Sequence, residues 1–106
     1  MEKVIKDGKV AVLVSHGFGA GWYSWHSKKE LLFHPTLIEM VENGNREEIT
    51  EDLCKKLLGV NDDEYICVLG VDGLNVHWID EGTAFQIDEY DGAESLTTLE
   101  HLTLIA

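Results

Sequence analysis

The strongest constraint on this fold is Val10-Ala11-Val12-Leu13-Val14, five consecutive apolar residues that open directly onto Ser15-His16-Gly17-Phe18-Gly19-Ala20-Gly21-Trp22. An uninterrupted aliphatic and β-branched run cannot alternate between core and water. Lys9 to Ser15 therefore reads as a strand buried on both faces, or at least central in its sheet. Three glycines end the strand and lead into Trp22, Tyr23, Trp25 and His26. Flexible backbone, aromatic faces and ionisable groups meet in this one stretch, which places a candidate binding site between Val10 and His26.

The whole chain, residues 1–106, reads as one domain with a globular hydrophobic content of 44%. No apolar run approaches the roughly 18 residues of a membrane span. The N-terminus MEKVIKDGKV lacks the apolar core of a signal peptide, so the expected location is the cytoplasm. In that compartment Cys54 and Cys67 are expected to be free and buried. The net charge is −12 and unevenly spread: residues 1–56 hold all eight Lys and Arg with nine acids, and residues 57–106 hold eleven acids and no cation. Direct nucleic-acid binding needs cations that the second half does not have. The same field favours a basic protein partner, although carboxylates also serve plain solubility.

Taken in order, Asp7-Gly8 is a turn and Lys9 to Ser15 the first strand. Pro35-Thr36 opens a helix, with Thr36 and Glu39 at capping-box spacing, and Asn43-Gly44 closes it. Asn45 and Glu48 repeat the spacing for a second helix, Arg46 to Leu58, with its acids early, Lys55 and Lys56 late, and Gly59 as its stop. Tyr65 to Leu69, Leu74 to Ile79, Thr83 to Tyr90, Ser95 to Leu99 and Leu102 to Ile105 read as strands. They are separated by turns at Gly70–Gly73, Asp80–Gly82 and Asp91-Gly92. The expected fold is α+β, an antiparallel sheet packed on a two-helix hairpin in the order β-α-α-β-β-β-β.

Several chemistries are excluded or weakened. VLVSHGFGAGWYSW looks like the strand and oxyanion turn of the α/β-hydrolases, but no G-x-S-x-G nucleophile elbow exists in the chain. There is no P-loop, and Gly17, Gly19 and Gly21 give G-x-G-x-G, not the dinucleotide pattern. An enzyme is not expected. His16, His26 and His34 are the candidate metal ligands, with Cys54, Cys67 and His77 able to join them in space, yet no pair has zinc spacing. No cofactor is required, and zinc is the ion that such a set would suit. Gly17, Gly19, Gly21, Trp22, Tyr23 and Trp25 could stack on and cradle a flat anion, with help from Lys28 or Lys29. Taken singly, each aromatic is more simply explained as core. Asp80, Glu81, Asp88, Glu89, Asp91 and Glu94 crowd into fifteen residues of turns and half-exposed strand, a candidate acidic face.

The loop Ser15 to Trp22, together with Glu81-Gly82-Thr83 and Glu89-Tyr90-Asp91-Gly92-Ala93-Glu94-Ser95, resembles small proteins encoded by bacteriophages and prophages. His16 and His26 depart from the loop of that group, so the resemblance implies no shared metal site. By analogy, small acidic phage proteins include inhibitors of host defence, anti-CRISPR proteins among them. The leading expectation is a non-enzymatic inhibitor in the host cytoplasm. It would bind a basic, nucleic-acid-handling defence protein through Asp80, Glu81, Asp88, Glu89, Asp91 and Glu94. The first alternative is a protein that binds or sequesters a nucleotide or other small anion with the glycine–tryptophan loop. The second is a small zinc-stabilised domain. Either a monomer or a homodimer fits these readings.

Overall fold

A computed structural model describes residues 3–17, 21–26, 28–61 and 63–98. The expected Leu102–Ile105 strand lies outside the described residues, as does Gly19 of the loop.

The chain begins with a two-residue strand, β1 (Ile5–Lys6), paired antiparallel with β2 (Lys9–Ser15). Asp7 and Gly8 join them at φ 53° and 76°. Both central residues are left-handed, as a tight hairpin requires, and Asp-Gly is the sequence that accepts this. β2 then pairs along its whole length with β3 (Leu74–Asp80), from Lys9 opposite Asp80 to Ser15 opposite Leu74. A second, separate hairpin joins β4 (Phe85–Tyr90) to β5 (Ala93–Thr98). Its turn repeats the same device, Asp91 at φ 51° and Gly92 at φ 88°.

The architecture is mixed α+β with two antiparallel sheets, β1-β2-β3 and β4-β5, instead of a single meander. Among the described residues there are four helices: α1 (Tyr23–His26), α2 (Glu30–Phe33), α3 (Pro35–Glu42) and α4 (Glu51–Leu58). β2 is the middle layer. Ala11 and Leu13 face a core built from Leu37, Ile38 and Val41 of α3 with Ile49 and Cys54. Val12 and Val14 face Leu32 and the inner side chains of the second hairpin, Phe85, Ile87 and Leu96. Residues 10–15 are buried without exception, which is what an apolar strand covered on both faces looks like.

Three local expectations change. The cap of α3 is His34, whose Nδ1 accepts from Thr36 N–H at 3.2 Å, while Pro35 occupies the first helical position. The second helix does not start at Arg46. Residues Arg46–Glu48 form a 3-10 turn, Ile49 is extended and buried, and Thr50 Oγ1 accepts from Leu53 N–H to start α4. Burying Ile49 breaks the helical run, and the β-branched hydroxyl restarts it. Gly59, at φ 68°, stops α4 as expected. Tyr65 to Leu69 is not a strand. Ile66 and Cys67 are buried side by side, so the segment does not alternate, and Ile66 N–H donates to Glu51 of α4 at 2.9 Å. Both cysteines are free and buried. Among the described residues no helix is long and apolar enough to cross a membrane.

The end of β2 is fixed by a close backbone approach. His16 N–H donates to the Gly73 carbonyl at 2.9 Å, and a Cβ on Gly73 would stand 2.5 Å from the Gly17 nitrogen. The reverse substitution is roomy, since a Cβ on Gly17 meets nothing nearer than 3.7 Å. Gly73→Ala is therefore expected to lose about 1–3 kcal/mol through forced backbone separation, and Gly17→Ala to stay within about 0.5 kcal/mol of wild type. Urea unfolding of the two variants checks this, and equal midpoints would refute the asymmetry.

Candidate functional site

β5 carries Glu94 on its inward face, beside Leu96. Glu94 is 2% exposed, so it does not belong to the acidic surface where the sequence reading put it. Its carboxylate collects both stems of the glycine loop. Oε1 accepts from Ser15 N–H at 3.0 Å, before the loop. Oε2 accepts from Trp22 N–H at 2.9 Å, Ser24 N–H at 2.8 Å and the Ser24 hydroxyl at 2.6 Å, after it. A desolvated carboxylate is costly unless its lone pairs are filled, and here four donors fill them. Gly21 completes the cradle: a Cβ there would meet Ser24 Oγ at 2.5 Å and Glu94 Oε2 at 3.0 Å. That glycine lets the backbone approach Glu94, which is a different reason from the approach to a ligand expected of it.

The loop aromatics diverge. Trp22 is fully buried in the main core and donates its indole N–H to the Leu31 carbonyl at 3.2 Å, so it is a structural residue with no face for a ligand. Trp25 is 44% exposed, and its indole N–H donates to Glu89 at 3.1 Å. Tyr23 is half-buried and lines a groove of about 450 Å³ with Lys29, Leu32, Phe33, Phe85, Gln86 and Ile87. Helices α1 and α2 form one wall and β4 the other. Phe33 and Phe85 meet edge-to-face at 6.2 Å across its floor, and Lys3 stands 4.5 Å from the Phe33 ring centre on the far side. Lys29 makes no ion pair among the described residues. Lys28, its neighbour, is committed to Glu64.

The remaining acids are exposed but dispersed. Asp80 and Glu81 lie at the β3–β4 turn and Asp91 at the β4–β5 turn. They are separated by the length of β4, roughly 20 Å at about 3.3 Å per residue. Asp88 accepts from Gln86 and Thr97 side chains, each at 3.0 Å, and Glu89 accepts from Gly92 N–H as well as Trp25. With Glu94 buried, the five exposed carboxylates are spread along β4 and the turns at its two ends.

The three candidate metal histidines do not converge. His34 caps α3, His26 packs edge-on against Trp22 at 4.8 Å, and His16 Nε2 lies 2.6 Å from His77 Nε2. Among the described residues no three His, Cys, Asp or Glu side chains are gathered as a metal-binding group. His26 Nδ1 accepts from Lys28 N–H, and its buried Nε2 has no hydrogen-bond partner among the described residues. Burial pushes the His26 pKa down to about 4, against the opposing pull of Glu94, and Lys28 lowers it further. Burial and the nearby Glu51 push the Cys54 thiol up to about 11, far from a reactive thiolate.

Sequence reasoning missed the groove because its walls come from residues some fifty positions apart. It had a usable signal for Glu94: on a strand, Glu94 shares a face with Leu96, the apolar residue two positions on. Comparison with protein-family models, with curated proteins and with solved structures finds no match for this chain.

Two outcomes are expected. Glu94→Ala removes the acceptor for three main-chain N–H groups and should cost about 3 kcal/mol or more, as measured by denaturant unfolding. An effect below about 1 kcal/mol would show that the loop does not depend on Glu94. The second concerns pH. The unfolded chain protonates His26 near 6.5 and the folded chain only near 4, so stability should fall as pH drops from 6.5 toward 4. The loss is on the order of 3 kcal/mol. His34 and His77, also lowered by burial, act in the same direction, so His26→Gln should reduce the slope without abolishing it. An unchanged slope in that variant would contradict the assignment.

Proposed function

We propose that this chain is a non-enzymatic binding protein that holds a small, flat, anionic ligand of the nucleotide class in the groove between α1–α2 and β4. The observation that carries this reading is the pairing of aromatic walls with Lys29, an ammonium without an ion-pair partner among the described residues, in a chain of net charge −12. Apolar walls with a few convergent polar groups are how small-ligand sites are built. Tyr23, Phe33 and Phe85 offer faces for stacking, while Lys29, the Tyr23 hydroxyl and the Gln86 amide offer polar contacts to an anion and its sugar or base edges. The described lining is mainly aromatic and aliphatic, with Lys29, Tyr23 and Gln86 as its polar members, a composition suited to holding a ligand. For a phage-type protein, retention amounts to sequestering a nucleotide on which a host defence depends.

A second reading is the inhibitor of a basic host protein. It is favoured by the exposure of Asp80, Glu81, Asp88, Glu89 and Asp91 and by the absence of Lys and Arg beyond residue 56. With the carboxylates at both ends of β4, such a partner would have to lie along the whole hairpin.

Titration with a panel of nucleoside mono-, di- and triphosphates and cyclic nucleotides, followed by NMR, tests the first reading. Tyr23, Phe33 and Phe85 resonances should shift saturably with at least one of them, and Lys29→Glu should weaken that binding about tenfold or more, roughly 1.4 kcal/mol. Asp80→Lys, Glu81→Lys and Asp88→Lys together should leave it unchanged or tighter. No saturable shift at millimolar nucleotide would overturn the groove reading. Loss of a basic protein partner in the charge-reversed variant alone would establish the second.

A further inference from the structure

His16 and His77 are absorbed by neither the loop nor the groove. His77 sits in the middle of β3 opposite Val12, and His16 follows directly on β2, its N–H bonded to Gly73. The β2–β3 ladder therefore fixes both backbones. The rings come together at a centroid distance of 4.8 Å and an angle of 42°, with the two Nε2 atoms 2.6 Å apart. His16 is exposed and His77 half-buried, so the point where the nitrogens converge is reached from solvent.

Two neutral imidazoles placed in this way can share a single N–H···N hydrogen bond, which gains little at an exposed position in competition with water. The same two lone pairs can instead be directed at one cation. In a tetrahedral zinc site, with Zn–N distances of about 2.0–2.1 Å, two nitrogens stand roughly 3.3 Å apart. The rings would need to separate by less than about 1 Å, a small rotation of side chains held on a rigid ladder. Neutral imidazole selects zinc, copper and nickel over magnesium and calcium. The net charge of −12 raises the local concentration of any divalent cation.

We propose that His16 Nε2 and His77 Nε2 form a two-imidazole site for a divalent transition ion of the zinc, copper and nickel class. No third protein donor is gathered with them among the described residues, so water or a donor atom of a bound molecule completes the coordination. This is a different site from the one expected of His16, His26 and His34. It is also independent of the groove. An ion held there would clamp the stem of the glycine loop at the residue before Gly17, opposite the stem bonds made by Glu94 to Trp22 and Ser24.

The test is titration of the chelator-treated full-length protein with zinc chloride at pH 7.5, followed by the imidazole resonances. The expected result is a saturable one-to-one response in which His16 and His77 shift together while His34 does not, with magnesium chloride giving none. His16→Gln or His77→Gln should weaken zinc binding about tenfold or more. The wild-type shifts decide the matter even where a variant folds poorly. Two results would overturn the proposal: no saturable shift of the two histidines up to about 1 mM zinc, or zinc binding of wild-type strength in a folded His16→Gln, His77→Gln double variant.

Discussion

A single buried carboxylate organises this molecule. Glu94 accepts from Ser15, Trp22 and Ser24 main-chain N–H groups, so it joins the last described strand to both sides of the first loop. The dependence runs both ways. Without these donors the carboxylate would be a desolvated charge with no ion-pair partner among the described residues. Without the carboxylate, three amide hydrogens in the interior would lose their acceptor. Charge-assisted bonds to main-chain N–H groups also fix direction, because the donors cannot rotate away as side chains can. The position of α1, and with it Tyr23 and Trp25, follows from this anchor.

The candidate groove is a consequence of the layer arrangement. β2 is covered on one face by helices and on the other by a separate hairpin. Among the described residues the hairpin has two strands, and the short helices α1 and α2 pack beside it against the same face of β2. The gap between them and β4 is lined by the side chains that each layer turns inward, which explains its aromatic and aliphatic walls. Lys29 stands at its rim because α2 begins there, at the point where the chain returns from the surface to the core.

Much of the fold was legible in the sequence, and the successes share a cause. The span of β2, the Asp-Gly turns and the Gly59 stop are set by residues that admit few conformations. The failures involve competition between local and distant interactions. Arg46 to Leu58 has helical periodicity throughout, yet burial of Ile49 interrupts it, and Arg46 is drawn instead to the Leu74 carbonyl at 2.7 Å. Tyr65 to Leu69 has strand-forming residues, but among the described residues no strand pairs with it, and Ile66 N–H donates to Glu51. Of the loop residues singled out as a candidate binding site, Tyr23 lines the groove. Trp22 proved to be core, Glu94 an internal tether, and His16 a partner of His77. A run of like residues in sequence says little about which of them share a surface once the chain has folded.

The span between Glu94 and its donors also governs how the molecule can assemble. Ser15 and Glu94 are 79 positions apart, and Trp22 and Glu94 are 72. Closing loops of that length is entropically slow, and topologies dominated by such contacts fold late and together. The two stems of the glycine loop therefore gain their shared acceptor only when β5 docks, the same step that covers the second face of β2. During synthesis the aromatic cluster at Trp22–Trp25 emerges long before the carboxylate that positions it. Until then it is an exposed apolar segment of an incomplete domain, the kind of species that chaperones engage. The stems of the first glycine loop are thus late to be anchored, and their completion coincides with that of the domain.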